Sequence, residues 1–282
     1  SIDDARERKF YIDWNDYVPP KPKFSGTQIL KDYPIKKLVD YIDWTPFFHT
    51  WEMRGKFPDI LSNEKYGNEP KKLFDDANKL LEHIINDKRL TADAVFGIYP
   101  AVSKDEKVSV ANYTFNFPRQ LIDKGRRQYN YSLADFISPK EDWIGLFAVT
   151  TGKGIEQIIF EYESQLDDYK IIMVKAIADR LAEAFTERLH QMIRTEYWGY
   201  ANEDNFNRSD LINEKYDGIR PAPGYPSCPD HVEKDTIWKI LNVEKNVGIS
   251  LTENRAMYPA SSVCGWYFSH PDSRYFSVLS NE

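Results

Sequence analysis

The chain has 282 residues, 41% of them hydrophobic, and a net charge of −7, which supplies apolar surface for one large packed unit or two modest ones and argues against tracking a phosphate backbone, which needs a basic stripe. No apolar run reaches the ~18 residues of a membrane span, and the start "SIDDARERKF" is charged where a signal peptide is apolar. Two cysteines make neither a disulfide framework nor a zinc motif, so the expectation is a reduced, cytoplasmic chain that binds no nucleic acid, membrane or metal.

Residues 1 to about 30 contain "VPPKPKF", whose close prolines predict an extended arm, an interdomain linker being an equal reading. A helical lobe is expected within about 31–90. There Leu38, Tyr41 and Ile42 fit a short amphipathic helix that Pro46 interrupts or restarts. The stretch from Pro70 to Arg89 opens on a first-turn proline and repeats apolar residues at helical spacing from Leu73 to Ile85. "ADAVFGIYPAV" reads as a buried strand turning at Pro100, "KVSVANYTFNFP" as one further strand and "WIGLFAVTTG" as a third. The longest helix is expected from about Asp167 to Trp198, ended by Gly199. On one of its faces Asp179, Glu183 and Glu187 stack like charges, with Arg180 and Arg188 near enough to compensate partly.

The segment "YDGIRPAPGYPSCPDH", residues 216–231, holds four prolines and two glycines. It is neither helix interior nor central strand, and must be a stiffened loop. Asp230 followed by Glu233 reads as a capping box for the next helix. "SSVCGWYFSH" and "RYFSVL" flank the turn "PDS" as a hairpin. Helices and strands alternate without a βαβ rhythm, so the expected fold is α+β, one domain over 1–282, with a mainly antiparallel sheet, packed helices and the helical lobe.

None of the common catalytic signatures is present, so no catalytic side chain is named and candidate residues are scattered. Arg220, on the stiff loop, suits a bidentate grip on a carboxylate, although a structural ion pair is an equal reading. Asp43 and Glu183 are acids between apolar neighbours, suited to an ammonium, a ribose hydroxyl or an arginine; a surface or salt-bridged acid is the commoner case. His231 is a ligand, a base or a first-turn helix residue. Tyr267 and Phe268, close to Gly265, present a ring or backbone to a flat ligand, or simply fill the core.

The segments "YIDWTPFF", "DRLAEAF", "GIRPAPGYPSCPDH", "LTENRAMYPASSVCGWYFSHPDS" and "RYFSV", in that order and spacing, closely resemble the activation domain of cobalamin-dependent methionine synthase. That resemblance implies a module that binds S-adenosylmethionine. It docks on the cobalamin-binding domain of the same enzyme and supplies the methyl group when inactive cob(II)alamin is reductively converted to methylcobalamin, with electrons from a flavodoxin-like or flavoprotein reductase. It further implies that Asp43, Glu183, Arg220, Tyr267 and Phe268 contact S-adenosylmethionine, and that Tyr225 and His231 face the corrinoid.

A methyl acceptor carried by a partner domain also explains the lack of a general base, since the protein need only position the sulfonium for in-line attack. Nothing in the sequence matches homocysteine, folate or corrinoid modules, so the chain alone is not expected to complete the methionine synthase reaction. The family pattern continues past the last strand, whereas this sequence ends at "SVLSNE", which bears on the sheet edge more than on the ligand site. Rival readings are a docking module for the corrinoid domain and reductase without methyl-donor affinity, an independent methyltransferase, which would need a glycine-rich strand-loop-helix that is absent, and an aromatic carbohydrate binder.

Overall fold

The computed structural model describes residues 1–122, 128–203 and 206–279, and it shows why the longest apolar runs fail to alternate: their sheet is buried on both faces. In chain order come helix α1 (Ile2–Glu7), strand β1 (Gly26–Leu30), a 3-10 helix (Ile35–Tyr41), α2 (Thr45–Thr50), two 3-10 turns (Asp59–Ser62 and Glu64–Tyr66) and α3 (Glu69–Asn86). The middle of the chain supplies β2 (Thr91–Lys104), β3 (Lys107–Val110), β4 (Tyr113–Asn116), a 3-10 turn (Leu133–Phe136) and β5 (Asp142–Lys153). Then follow α4 (Ile155–Ser164), α5 (Asp168–Met192) and a π-helical turn (Ile193–Tyr197). The last part adds α6 (Arg208–Ile212), α7 (Glu233–Leu241), α8 (Val243–Val247), the short pair β6 (Ser250–Leu251) and β7 (Met257–Tyr258), and β8 (Ser262–Tyr267).

The main sheet is antiparallel in the order β4-β3-β2-β5-β8, with β1 on the first half of β2. This is the α+β, mainly antiparallel class expected. Ala94, Phe96 and Ile98 of β2, Phe147 of β5 and Tyr267 of β8 face a core shared with α2, α3 and α5. Val95, Leu146, Ala148 and Trp266 face a second core closed by α7 and α8.

The long periodic elements lie where expected. Pro46 restarts the chain as a first-turn residue of α2, and α5 with its π turn runs to Trp198, after which Gly199 turns at φ 78°. Other expectations are corrected. The arm is not wholly extended: Ser1 caps α1 in a capping box, and Gly26–Leu30 pairs with β2. Strand β2 does not turn at Pro100. The carbonyls of Ala92 and Ile98 accept from Tyr33 and Ser25 on the β1 side, so even-numbered residues turn their backbone groups that way. Pro100 does likewise, and it falls between β1, whose pairing reaches Ile98, and β3, whose pairing reaches Val102. A residue without an N–H breaks no ladder there.

Residues 107–118 form a hairpin rather than one strand, turning through Ala111 at φ 51° without the glycine that usually announces such a turn. Helix α4, not anticipated, starts after Gly154. Asp230 makes a local turn, accepting from Val232 N (2.9 Å), while α7 begins only at Glu233, whose carboxylate accepts from Asn116 (3.2 Å). The expected final hairpin is absent, because the outer edge of β8 is already taken by residues 219–221: Ile219 and Phe268 exchange hydrogen bonds of 3.0 Å and Trp266 N donates to Pro221 O (2.9 Å).

At the start of β5, Asp142 is 3% exposed and accepts from Ser138 N (2.8 Å) and Trp143 N (2.7 Å). Burial pushes its pKa up to about 6 against the pull of those amides. A carboxyl whose folded pKa lies above its unfolded one stabilises the fold fully below the unfolded value, and that contribution is lost as pH rises through the folded one. Thermal melting between about pH 4 and 7 is expected to show this component, and Asp142→Asn to flatten it. An unchanged slope in the variant would refute the assignment.

Candidate functional site

The proline-rich loop is laid along β8 by close backbone contact. A Cβ on Gly265 would stand 2.4 Å from Pro221 O, so only glycine lets the loop approach this strand. Gly224 turns at φ 92° with the His231 ring packed against it, and Gly224 N donates to Cys228 O (2.8 Å). The tail that was expected to pair with β8 instead folds over this loop. Val278 N donates to Pro226 O (3.0 Å), Ser227 Oγ to Phe276 O (2.7 Å) and Arg220 N to Tyr275 Oη (3.1 Å).

Between loop, tail and α5 lies a cavity of about 470 Å³ whose wall includes Phe147, Glu183, Thr186, Arg220, Tyr225 and Tyr275. Its size suits a small-molecule ligand. Below it runs one face of α5, on which Glu183, Glu187 and His190 follow at helical spacing and which Arg194 continues into the π turn.

Arg220 points into this region with its guanidinium held on two nitrogens. Nη2 meets Glu187 Oε2 at 2.7 Å, and Nη1 donates to Tyr216 Oη and to His190 Nδ1 (3.2 Å). Burial alone lowers the Arg220 pKa, but Glu187, with Tyr216 and Tyr275, reverses the direction and leaves it raised, so the group is always charged. Burial, then the Arg194 and Arg220 charges, holds the His190 imidazole well below its ordinary pKa. The ring is therefore neutral, and its Nδ1 accepts, since a guanidinium only donates. Of the five Arg220 N–H groups, the two on Nη1 make hydrogen bonds to described residues, and Nη2 is drawn to Glu187 by charge; the Nε–H and an Nη2–H remain as donors. Two such donors are what a bidentate carboxylate requires.

The structure brings Glu183, Arg220 and Tyr225 together at the cavity. Glu183 is exposed and, among the described residues, has no ion-pair partner. Tyr225 is 58% exposed, and His231, also exposed, lies behind it against Gly224. Asp43 is not part of this group. Half-buried, it accepts from Thr45 N (3.0 Å) at the start of α2 and lines a separate cavity with Lys56, Phe57 and Arg208.

Tyr267 and Phe268 do not present rings to the cavity, because both side chains are fully buried. Tyr267 is stacked between Phe147 (4.6 Å) and His190 (5.0 Å), and Phe268 lies in the opposite core. Nor does Arg188 compensate the acidic stripe as expected: it bonds Tyr33, Tyr41 and Gln191, while Glu187 is met by Arg220 and Arg194 and Asp179 accepts from Ser261. Sequence reasoning missed Tyr275, Tyr216, His190, Arg194 and Glu203. Extending the stripe of α5 past Glu187 would have found His190 and Arg194, and Tyr216 opens the stiff loop four residues before Arg220; nothing local marks Tyr275 or Glu203.

The family model described as vitamin B12 dependent methionine synthase, activation domain, matches residues 34–281. The chain belongs to this family. A crystal structure described as the MetH reactivation domain bound to AdoHcy is similar to it at 46% identity and a TM-score of 0.95, over 99% of this chain and 89% of that one. The activation domain is thus a domain of a cobalamin-dependent methyltransferase. Among its described residues no helix is long and apolar enough to cross a membrane.

Proposed function

We propose that this activation domain binds S-adenosylmethionine in the cavity between the 219–228 loop, α5 and the tail, and donates its methyl group to cobalamin carried by a partner domain during reductive reactivation. The observation that carries this reading is Arg220, charged, fixed on a rigid loop and left with two N–H donors at the cavity wall. The AdoHcy-bound relative supports it.

Arg220 holds the α-carboxylate, and Glu183 on the rim attracts the α-ammonium or the sulfonium. Phe147, Tyr225 and Tyr275 offer flat apolar surface to the adenine. Asp43, in its own cavity, stays outside this binding set, and Tyr267 acts from behind by packing Phe147 in place. Tyr225 and His231, exposed on the same loop, face the cobalamin-binding domain. Cobalamin, once docked, supplies the nucleophile for methyl transfer, and a flavodoxin-like or other flavoprotein reductase supplies the electron. No side chain here need act as a base, because an in-line methyl transfer from a sulfonium releases no proton from the donor.

Calorimetric titration of S-adenosylmethionine into the folded chain is expected to show saturable one-to-one binding. Absence of any binding would overturn the methyl-donor site and leave a docking module in its place.

A further inference from the structure

Arg220 is the outer end of a row of four alternating charges. Glu203, whose side chain is 2% exposed, pairs with Arg194, which is fully buried: Nε with Oε1, and Nη2 with Oε2 at 3.0 Å. Arg194 Nη2 lies 3.9 Å from Glu187 Oε1, and Glu187 Oε2 lies 2.7 Å from Arg220 Nη2. The row is braced sideways by Tyr216, whose ring lies 3.6 Å under the Arg194 guanidinium and whose hydroxyl accepts from Arg220.

A row of this kind is a poor device for stability. Desolvating four charges costs about what their attraction returns. It is also incompletely paired within itself, since Glu187 Oε1, His190 Nε2, Arg194 Nη1 and Tyr267 Oη are buried without a hydrogen bond among the described residues. A network kept only for packing would be expected to satisfy its members or to be replaced by apolar side chains. The row does, however, end at the one wall of the cavity where a carboxylate is to be gripped.

We propose that Glu187 is the positioning residue for Arg220: it orients the guanidinium before ligand arrives, while Arg194, itself balanced by Glu203, shares the Glu187 charge so that Arg220 keeps an effective positive charge toward the cavity. This rests on the reading of the cavity as an S-adenosylmethionine site. A carboxylate shared between two guanidinium groups leaves each less neutralised than a private pair would. The fixed orientation exposes the Nε–H and the second Nη2–H without a rotamer search when the ligand enters. Glu187 does not touch the ligand in this account. Its effect must therefore appear only in ligands that use Arg220.

The test compares S-adenosylmethionine with its decarboxylated analogue, which differs only by the α-carboxylate, in the unsubstituted chain and in Glu187→Gln. The variant is expected to weaken S-adenosylmethionine by about tenfold or more and the decarboxylated analogue by less than about twofold, since only the former needs an oriented guanidinium. Equal weakening of both ligands, unchanged affinity or tighter binding of S-adenosylmethionine each overturns the positioning role and leaves the site itself standing. An unsubstituted chain that binds neither ligand sinks the site reading, and this one with it.

Should Glu187→Gln fail to fold, the Arg220 Nη–H resonances of the unsubstituted chain decide. A separate Nη2 signal, resolved because rotation of the guanidinium is hindered, is expected before any ligand is added, shifting with S-adenosylmethionine and far less with the analogue. A signal that emerges only on ligand addition overturns the proposal.

Discussion

Arg220→Ala is expected to weaken S-adenosylmethionine binding by about 100-fold or more, because truncating one member of a desolvated, hydrogen-bonded charge pair costs about 3 kcal/mol. The argument is geometric as well as electrostatic. The backbone of Arg220 is fixed between β8 and the tail by Ile219, Pro221 and Tyr275, so the guanidinium is presented from a main chain held on both sides. The same change strips Glu187 of its close partner and leaves it, among the described residues, with Arg194 at 3.9 Å, so a lower melting temperature accompanies the lost affinity. Arg220→Lys keeps the charge but not the fork, and its affinity is expected to fall between the two. Calorimetry on variants shown by circular dichroism to be folded makes the measurement. Affinity of a folded Arg220→Ala variant within about threefold of the parent would remove the clamp from the mechanism.

The second large effect concerns stability and lies far from the cavity. Arg119, with 1% of its side chain exposed, donates to both carboxylate oxygens of Asp135 (2.7 and 2.6 Å), to Glu106 (2.7 Å) and to Asn130 O (2.7 Å). Glu106 in turn takes Arg6 from α1 at 2.6 Å, so one guanidinium ties the arm, the β2–β3 turn and the 3-10 turn at Leu133–Phe136 together. Arg119→Met should cost about 3–5 kcal/mol, because Asp135 is left as a buried charge whose pKa burial already raises even with Arg119 beside it.

At about 2–4 °C per kcal/mol for a chain of this size class, that is a fall of about 10 °C in Tm. Adding Asp135→Asn removes the stranded charge and is expected to restore a good part of the loss, while affinity for S-adenosylmethionine stays at the parent value in both variants. A loss below about 1 kcal/mol in the single variant would show that the cluster is solvated rather than buried.

How far such features were legible from residues alone differs by scale. Helices α3 and α5 carry one-sided apolar periods long enough to be read directly, and the rigidity of 216–231 follows from proline and glycine chemistry without reference to anything distant. The tail was misread because strand propensity in "RYFSVL" is local, whereas the free edge of β8 is a contested resource already claimed by Ile219 and Pro221. Pro100 was misread for a related reason, since its tolerance depends on where β1 stops and β3 begins.

In the candidate site, Arg220, Glu183 and Tyr225 stood out through their neighbours in sequence and the family resemblance. The row behind them did not. Glu203 and the Tyr216 ring reach Arg194 only after the chain leaves α5 and doubles back, and no spacing rule spans that path. Tyr267 and Phe268 show the reverse error. Adjacent residues on a strand point to opposite faces, and in a sheet covered on both sides each is swallowed by a different core.

The covering of β8 has a consequence for how the protein behaves in crowded solution. An unpaired sheet edge is a template onto which a strand of another molecule can add, and repeated addition leads to polymers. Here the loop that lines the cavity closes that template with its own backbone at residues 219–221, and Gly265 is what allows the closure. The segment that makes the cavity is therefore also the seal against strand exchange. Loosening it would expose the edge as it opens the cavity, so a variant selected for a wider cavity would carry self-association as a by-product.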